Sequence, residues 1–578
     1  MDFHLQHIDS HPTLSGKAAA LKLLLVVKWA IVRFSFRHGG RVLDNLKRTF
    51  QAGARISMQT LKVEPQPKPE IVVTNPATGE EIGRVPVNGV DEVQRAVASA
   101  RKVQTSWAKV AFKDRGRLIL RVRELVLSEQ EEIAQLISSE TGKPPAESLS
   151  MEIVPSLDLM HYFAKQTKNL LKPQRIDIGQ YGLMGRSSRI VYQPLGVIGI
   201  ISPWNFPWAT PIAEVVMALM AGNSVILKPS ELTPFTALKM LDVFERAGLD
   251  RNLLQVLTGD GSTGAALSES PVDKIMFTGS VATGKLVAAA AAGNLTPVVL
   301  ELGGKDPMIV LADANIANAA RAAVWGAFAN SGQACASVER CYVHESVADE
   351  FLKQVVTETR TLKQSNPTDS EADVGSMTSE QQLQIVEEHV TEALHKGARI
   401  EIGGSRKPGT GWFYEPTVLT QVDQSMKIMR DETFGPVLPV TTFSSEEEAV
   451  ALANDSIYGL TASVWTRNTA RGRRVAEQIQ AGTVMVNEVV YTHGIAQTPW
   501  GGVKQSGYGR THGRMGLLEL VSPRHIHVNR FGFLPDVWWF RYTADASRLF
   551  RGLARYFTTG SIIKTLPLLP QILRRLRR

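Results

Sequence analysis

The chain has 578 residues, of which 44% are hydrophobic and 21% charged. That composition excludes disorder or a collagen-like repeat as the main state, and the length allows several domains of roughly 100–200 residues each. The net charge of +8 is unevenly divided: residues 1–60 carry +6 and residues 531–578 carry +7, which leaves −5 for the body between them. A nucleic-acid-binding protein would carry its basic charge in the folded part, so no nucleic-acid partner is expected. The two cysteines, Cys335 and Cys341, exclude a disulfide framework and favour a reducing compartment.

Residues 1–63 form a basic amphipathic segment. Its centre runs from Lys17 to Arg37, KAAALKLLLVVKWAIVRFSFR. The longest charge-free run there, Leu23–Val27, is far short of the roughly 20 apolar residues a spanning helix needs. Asp2 and Asp9 precede it, unlike the basic start of a secretory signal. Wound as a helix, Leu23, Leu24, Val27, Ala30, Ile31 and Phe34 share one uncharged face, the pattern of a helix lying in a membrane interface. Packing on the body or on a partner subunit is the alternative. Residues 64–69, EPQPKP, read as an extended spacer at which the body starts.

From there helix and strand patterns alternate. Val90–Leu127 has helical spacing, and Arg189–Ser202 reads as strand. Ala213–Leu219 and Thr236–Arg246 read as helices between strands at Ser224–Leu227, Leu254–Leu257 and 275–278, with a further helix from about Gly284. Short apolar strands between helices predict an α/β fold with a parallel, doubly wound sheet. A second alternating run, from about 307 to 500, predicts another α/β unit.

Two glycine-rich turns compete for a dinucleotide. Gly259-Asp260-Gly261-Ser262-Thr263-Gly264 matches G-x-G-x-x-G after a strand and ahead of a helix at Ala265–Ser268. A tight turn needing only backbone freedom is the alternative. The second, Phe277 to Lys285, is weaker on spacing alone. Lys228-Pro229-Ser230-Glu231 follows a strand, where a carboxylate can accept from a ribose 2′-hydroxyl and would repel a 2′-phosphate. That favours NAD over NADP; a solvated Lys228–Glu231 pair is the alternative.

Cys335 sits among small residues in Ser331-Gly332-Gln333-Ala334-Cys335-Ala336, which leaves room for a reactant; a buried small hydrophobe is the alternative. Cys341 reads as a strand residue. Glu301 ends an apolar strand before Gly303-Gly304-Lys305, where burial would make it a usable base or Lys305 would pair with it. Asn205, in Pro203-Trp204-Asn205-Phe206-Pro207, could aim an amide N–H at an oxyanion or simply cap its own turn. Glu432, two residues before Phe434, reads as a loop acid beside an aromatic. No His/Cys cluster has metal-ligand spacing, so no metal is expected. Beyond residue 531 the chain repeats the theme of its start: Trp538, Trp539, Phe540, Tyr542, Phe550, Tyr556 and Phe557 lie among arginines, and Arg574, Arg575, Arg577 and Arg578 close it. Such a mixture fits a surface anchor on anionic lipid.

Taken together, these segments resemble the aldehyde dehydrogenase superfamily over roughly residues 70–530. The resemblance rests on PWNFP (203–207), KPSE (228–231), FTGS (277–280), ELGGKDP (301–307), SGQAC (331–335), ETFGP (432–436) and PWGGVKQSGYGR (499–510), in the family's order. It implies that Cys335 is the nucleophile, that Glu301 activates the hydrolytic water, and that Asn205 with the Cys335 N–H forms the oxyanion hole. It further implies that Lys228 and Glu231 hold the adenosine ribose, that Gly279 and Ser280 meet the pyrophosphate, that Glu432 holds the nicotinamide ribose, and that Phe434 and Trp204 lie near the nicotinamide end. On this match the literal G-x-G-x-x-G at 259–264 is not the phosphate loop. Arg514 stands where many members have a glutamate proposed to relay a proton.

The implied architecture is a Rossmann-like NAD-binding domain in two parts (64–177 and 193–300), a catalytic α/β domain (301–500), and a small β oligomerisation extension at 178–192. A return with an oligomerisation strand follows at 501–530, and the basic aromatic tail is 531–578. A homodimer or homotetramer is expected. The expected activity is NAD-dependent oxidation of an aldehyde to an acid. Basic ends at a membrane surface, on the cytosolic face, suggest medium- or long-chain aldehydes. A semialdehyde substrate, or a thiol esterase without net redox, are the alternatives; the base Glu301 argues against CoA acylation.

Overall fold

The computed structural model describes residues 69–369, 371–559 and 566–576. The amphipathic segment at 17–37 and most of the proline spacer therefore lie outside the described residues. An antiparallel pair, Glu70–Thr74 with Glu81–Pro86, opens the described chain.

The first large sheet takes its five parallel strands from near-continuous apolar runs, as strands covered on both faces require. In spatial order they are Val298–Glu301, Lys274–Thr278, Val197–Ile201, Ser224–Lys228 and Leu254–Val256. The chain moves one way from Val197–Ile201 through the next two strands, then returns to the other side of it for the last two. The order thus reverses between Val197–Ile201 and Lys274–Thr278. A crevice opens at the carboxyl ends of strands around such a switch point, because the loops that follow diverge. Loop 202–208 and the turn at Gly279 both lead from it. A sixth, antiparallel strand, Gly507–Tyr508, pairs with Leu300 and Glu301.

The second sheet has seven strands in the order Arg399–Ile402, Thr417–Thr420, Val437–Phe443, Val338–His344, Asp306–Val310, Thr461–Trp465 and Thr483–Val486, all parallel except the first. The chain crosses from one sheet to the other in four residues, Leu302 to Lys305. A third, three-stranded antiparallel sheet joins Gln174–Ile176, Arg186–Pro194 and Val521–Asn529.

Three sequence expectations need correction. The helical stretch at 90–127 is two helices, Val90–Trp107 and Phe112–Ser128. The break lets the Trp107 indole donate to the Leu219 carbonyl, and sets Gly116 where a Cβ would meet the Ala164 carbonyl oxygen at 2.6 Å. The strand expected at Arg189–Ser202 is also two elements, Arg186–Pro194 in the small sheet and Val197–Ile201 in the first large one. The chain changes sheets at Gly196, whose φ of +141° few other residues adopt. The helix expected from Gly284 starts three residues earlier, at Val281.

The tail carries two helices, Ala544–Thr559 and Leu569–Leu576. Val537, Leu549 and Leu568 form a small core between them. Buried Arg575 donates to the carbonyls of Val537, Trp539 and Arg541. Asp536 pairs with Arg186 of the small sheet, and the Phe557 ring stacks on Tyr181. Phe533, Trp539, Phe540, Tyr542 and Leu566 remain exposed. Among the described residues no helix is long and apolar enough to cross a membrane.

Candidate active site

One cavity of about 590 Å³ opens at the switch point. It gathers Trp204, Asn205, Gly279, Ser280, Glu301, Cys335, Glu432 and Phe434, which come from both large sheets. Lys228 and Glu231 stand outside its lining, at the end of the strand next to Val197–Ile201.

Cys335 follows a turn in which Asn330 and Ser331 both have φ of +54°. Such a conformation costs of order 1 kcal/mol per residue and persists only where its surroundings enforce it. They do: Asn330 Nδ2 donates to the carbonyls of Asn205 and Gln333, each at 3.0 Å, and the Gln333 carboxamide bonds Asn330 and Thr378. Burial pushes the Cys335 thiol up, and the carboxyl groups of Asp306, Glu432 and Glu301 add to the effect. The resting sulfur is thus a thiol, and an attack needs its proton removed.

Glu301 is 5% exposed, and neither of its oxygens has a hydrogen-bond partner among the described residues. Burial raises its carboxyl well above the usual range, neighbouring Glu214 raises it further, and Arg510 opposes both. Lys305 does not pair with it; Lys305 Nζ lies 2.6 Å from Glu339 and 3.0 Å from the Thr433 hydroxyl. The glycines of the return segment make room for Glu301. A Cβ at Gly501 would stand 2.7 Å from its Oε1, and one at Gly507 would meet the Leu300 carbonyl oxygen at 1.9 Å.

Asn205 Nδ2 donates one hydrogen to the Gln333 carbonyl at 3.0 Å, which leaves its second hydrogen free to point elsewhere. Glu432 accepts from the Gly304 N–H at 3.0 Å; a Cβ at Gly303 would stand 2.1 Å from its other oxygen. Burial, with Glu339 beside it, holds Glu432 at about 8. Phe434 meets Trp204 edge to face at 5.5 Å.

The two glycine turns separate cleanly. Ser280 caps the twelve-residue helix Val281–Ala292, and Gly279 is required because a Cβ would stand 2.6 Å from the Phe277 ring. The helix at 261–268 is capped by the Asp260 carboxylate, which already occupies the positive helix end. Its glycine at 259 serves a close approach to Thr263 instead. Near Lys228 the Asp260 carboxylate and Glu231 make an acidic surround, with Lys228 Nζ 3.3 Å from Glu231.

Glu214, His493 and His512 are among the cavity residues that escaped the sequence reading. Glu214 is the one charge in a helix otherwise built of apolar and small residues, ATPIAEVVMALMA, and that contrast was the available signal. Burial lifts it to about 8, and its Oε2 has no partner. His493 and His512 stack edge to face at 4.7 Å, and burial lowers both, so they are neutral. Arg514 is not in the cavity; it donates to the Tyr192 hydroxyl at 3.2 Å. The neighbours that do line the cavity are Thr511 and His512.

Comparison with known proteins agrees with this geometry. The model of the aldehyde dehydrogenase family matches residues 63–526. This chain belongs to the aldehyde dehydrogenase family. It is 39% identical to a Methylomonas 4,4′-diapolycopene aldehyde oxidase, over 83% of this chain and 90% of that one. It is 40% identical to a Mycobacterium bovis protein provisionally named succinate-semialdehyde dehydrogenase (NADP+) 2, over 82% and 92%. The solved aldehyde dehydrogenase of Mycobacterium tuberculosis complexed with NAD+ superposes with a TM-score of 0.76 at 35% identity, covering 80% of this chain and 95% of that one. The NAD-dependent aldehyde dehydrogenase of Sinorhizobium meliloti gives 0.77 at 37%, covering 80% and 91%. The protein is thus an oxidoreductase of aldehydes with the α/β fold of that family.

Proposed function

We propose that this aldehyde dehydrogenase oxidises medium- or long-chain apolar aldehydes, using NAD, with Cys335 as nucleophile, Glu301 as base and Asn205 as oxyanion donor. The observation that carries the reading is the convergence of these three side chains on one cavity whose wall is apolar. Met151, Val154, Pro155, Trp325, Val490 and Tyr491 line it, and among the described residues no Lys or Arg does. Val154, Trp325 and Tyr491 are exposed, as mouth residues would be. A semialdehyde bearing a distal carboxylate would need a cation there, and the wall offers Asp158 instead. The Methylomonas relative, named for 4,4′-diapolycopene aldehyde, is in keeping with an apolar substrate.

Each step follows from what these side chains can do. The Cys335 thiol gives up its proton to solvent water, the sulfur adds to the aldehyde carbon, and the carbonyl oxygen becomes an alkoxide. The free amide hydrogen of Asn205 and the Cys335 main-chain N–H stabilise that oxygen. One such donor is typically worth about 10²–10³ in rate. Loss of hydride leaves a thioester on Cys335. Glu301 takes a proton from water, the water oxygen attacks the thioester carbon, and the sulfur leaves. The residues present fit a dinucleotide: Lys228 offers a donor and Glu231 a half-exposed carboxylate to a ribose, Ser280 opens a helix whose N–H groups suit a pyrophosphate, and Glu432 offers a second carboxylate. The dinucleotide, when bound, supplies the hydride acceptor. The carboxylates of Glu231 and Asp260 near Lys228 disfavour a 2′-phosphate, which supports NAD over NADP.

The exposed aromatics of the tail among its arginines support contact with an anionic membrane surface. Strand Val521–Asn529 is an edge of the small sheet and largely exposed, which supports its use in a homodimer or homotetramer.

The test is NADH formation over an aldehyde series from short to long chain, beside Cys335→Ala. Turnover that needs Cys335 and rises in kcat/KM with chain length is expected. A flat profile, or preference for succinate semialdehyde, would overturn the apolar-substrate reading. Cys335-dependent ester hydrolysis without aldehyde oxidation would overturn the redox one. Flotation with anionic but not zwitterionic vesicles, weakened on truncation at residue 531, is expected of the tail.

A further inference from the structure

Lys143 and Glu152 take no part in any step above, yet both side chains are wholly buried and their ion pair measures 2.6 Å. A buried pair contributes little net stability, because the desolvation of two charges offsets most of their attraction. The bonds around this one show another use. Lys143 Nζ also donates to the main-chain oxygen of Asn205 at 2.7 Å and stands over the Phe206 ring at 4.3 Å. The second oxygen of Glu152 accepts from the N–H groups of Trp208 at 2.8 Å and Ala209 at 3.1 Å. The pair therefore holds the 203–208 loop at the Asn205 carbonyl and again at its far end, where Trp208 leads into the helix Ala209–Ala221.

The grip extends to the nucleophile. The Asn205 carbonyl that accepts from Lys143 also accepts from Asn330 Nδ2, and Asn205 Nδ2 bonds the Gln333 carbonyl two residues before Cys335. The elements that carry the pair are shaped for it. Lys143 follows Gly142, the left-handed end of helix Gln130–Thr141, where a Cβ would stand 2.1 Å from the Ser376 hydroxyl oxygen. Glu152 lies in a one-turn π-helix, Ser148–Ile153, and such turns recur at functional sites.

We propose that Lys143 and Glu152 are positioning residues, which fix the Asn205 amide and the Cys335 turn in one frame so that the oxyanion donor is in place before charge develops. The proposal rests on the reading of Asn205 as that donor. A donor that must reorient during the reaction loses much of its benefit, so loosening the frame should slow acylation through Asn205.

The test is a double-mutant cycle read by the pre-steady-state rate of NADH formation, with the NAD dissociation constant and melting temperature measured alongside. Asn205→Ala alone should slow acylation about 10²–10³-fold, and no loss would overturn the Asn205 reading itself. Lys143→Met should slow acylation about tenfold or more with NAD affinity unchanged, and should cost less than about twofold in the Asn205→Ala background. Full multiplication of the two losses, or no loss from Lys143→Met, overturns the proposal and leaves the Asn205 reading standing. Should Lys143→Met not fold, Glu152→Gln carries the same comparison, since it keeps side-chain size and one acceptor oxygen while removing the counter-charge. Its loss too should vanish in the Asn205→Ala background, and multiplication there overturns the proposal.

Discussion

Two buried acidic regions lie on either side of the four-residue crossing between the sheets, and they are built on opposite rules. On the far side, Glu339 pairs with Lys305 and accepts from the N–H groups of Thr433 and Phe434. Its two bonds to main-chain N–H groups hold the loop that carries Glu432. On the near side, Glu301 and Glu214 face one another's charge, and three of their four oxygens have no partner among the described residues. Buried polar groups in proteins are nearly always bonded, so an orphaned pair in a cavity marks a place kept for something else. The difference teaches how to sort buried charges here: the paired ones set geometry, and the unpaired ones are available to water and substrate.

That comparison can be broken in three places. The largest effect is expected from Glu301→Gln. The burst of NADH should survive, because the thioester still forms, while steady-state turnover falls about 10²–10⁴-fold for want of a base. Equal loss in both phases would place Glu301 before the thioester and undo the contrast. Next, Lys305→Met should cost about 3–5 kcal/mol of stability, since it strands the Glu339 charge in the interior. Denaturant midpoints measure this, and a near-neutral result would mean that Glu339 needs no partner.

Glu214→Gln should have the smallest effect and the most informative sign. Folding raises the Glu214 carboxyl from 4.5 to about 8, so the folded state holds a proton that the unfolded state has lost. Stability tied to this group is full below about 4.5 and drains away as pH climbs toward 8. The variant should show a flatter stability profile across that window. It should also move the acid limb of turnover to lower pH, because one source of upward pressure on Glu301 is gone. Identical profiles would show that the two carboxyls do not sense each other.

What the sequence disclosed follows from the reach of each signal. Cys335, Glu301, Asn205, Glu432 and Phe434 sit in short motifs, each written in neighbouring residues, and the fold brings all five to one cavity. The alternation of strands and helices was equally local. Lys143 and Glu152 escaped notice because their meaning lies in Asn205 and Trp208, more than fifty residues away. The helix break after Trp107 depends on an indole reaching Leu219, and no local pattern records that. Spacing favoured the first glycine turn because it counts glycines and takes no account of Asp260, whose carboxylate sits at the N-terminus of the helix that follows.

The short strand Gly507–Tyr508 has a consequence for how the molecule is made. It closes the edge of the first sheet beside Glu301, yet it emerges about two hundred residues after that glutamate. At roughly 5–20 residues per second, the nascent chain waits some 10–40 s with that edge open while the whole second sheet is synthesised. The first α/β unit is therefore incomplete as an autonomous folding unit until its last strand arrives, after the whole second sheet. Ribosome-bound chains stalled before residue 507 should leave the Val298–Glu301 amides open to hydrogen exchange, and chains released beyond it should protect them.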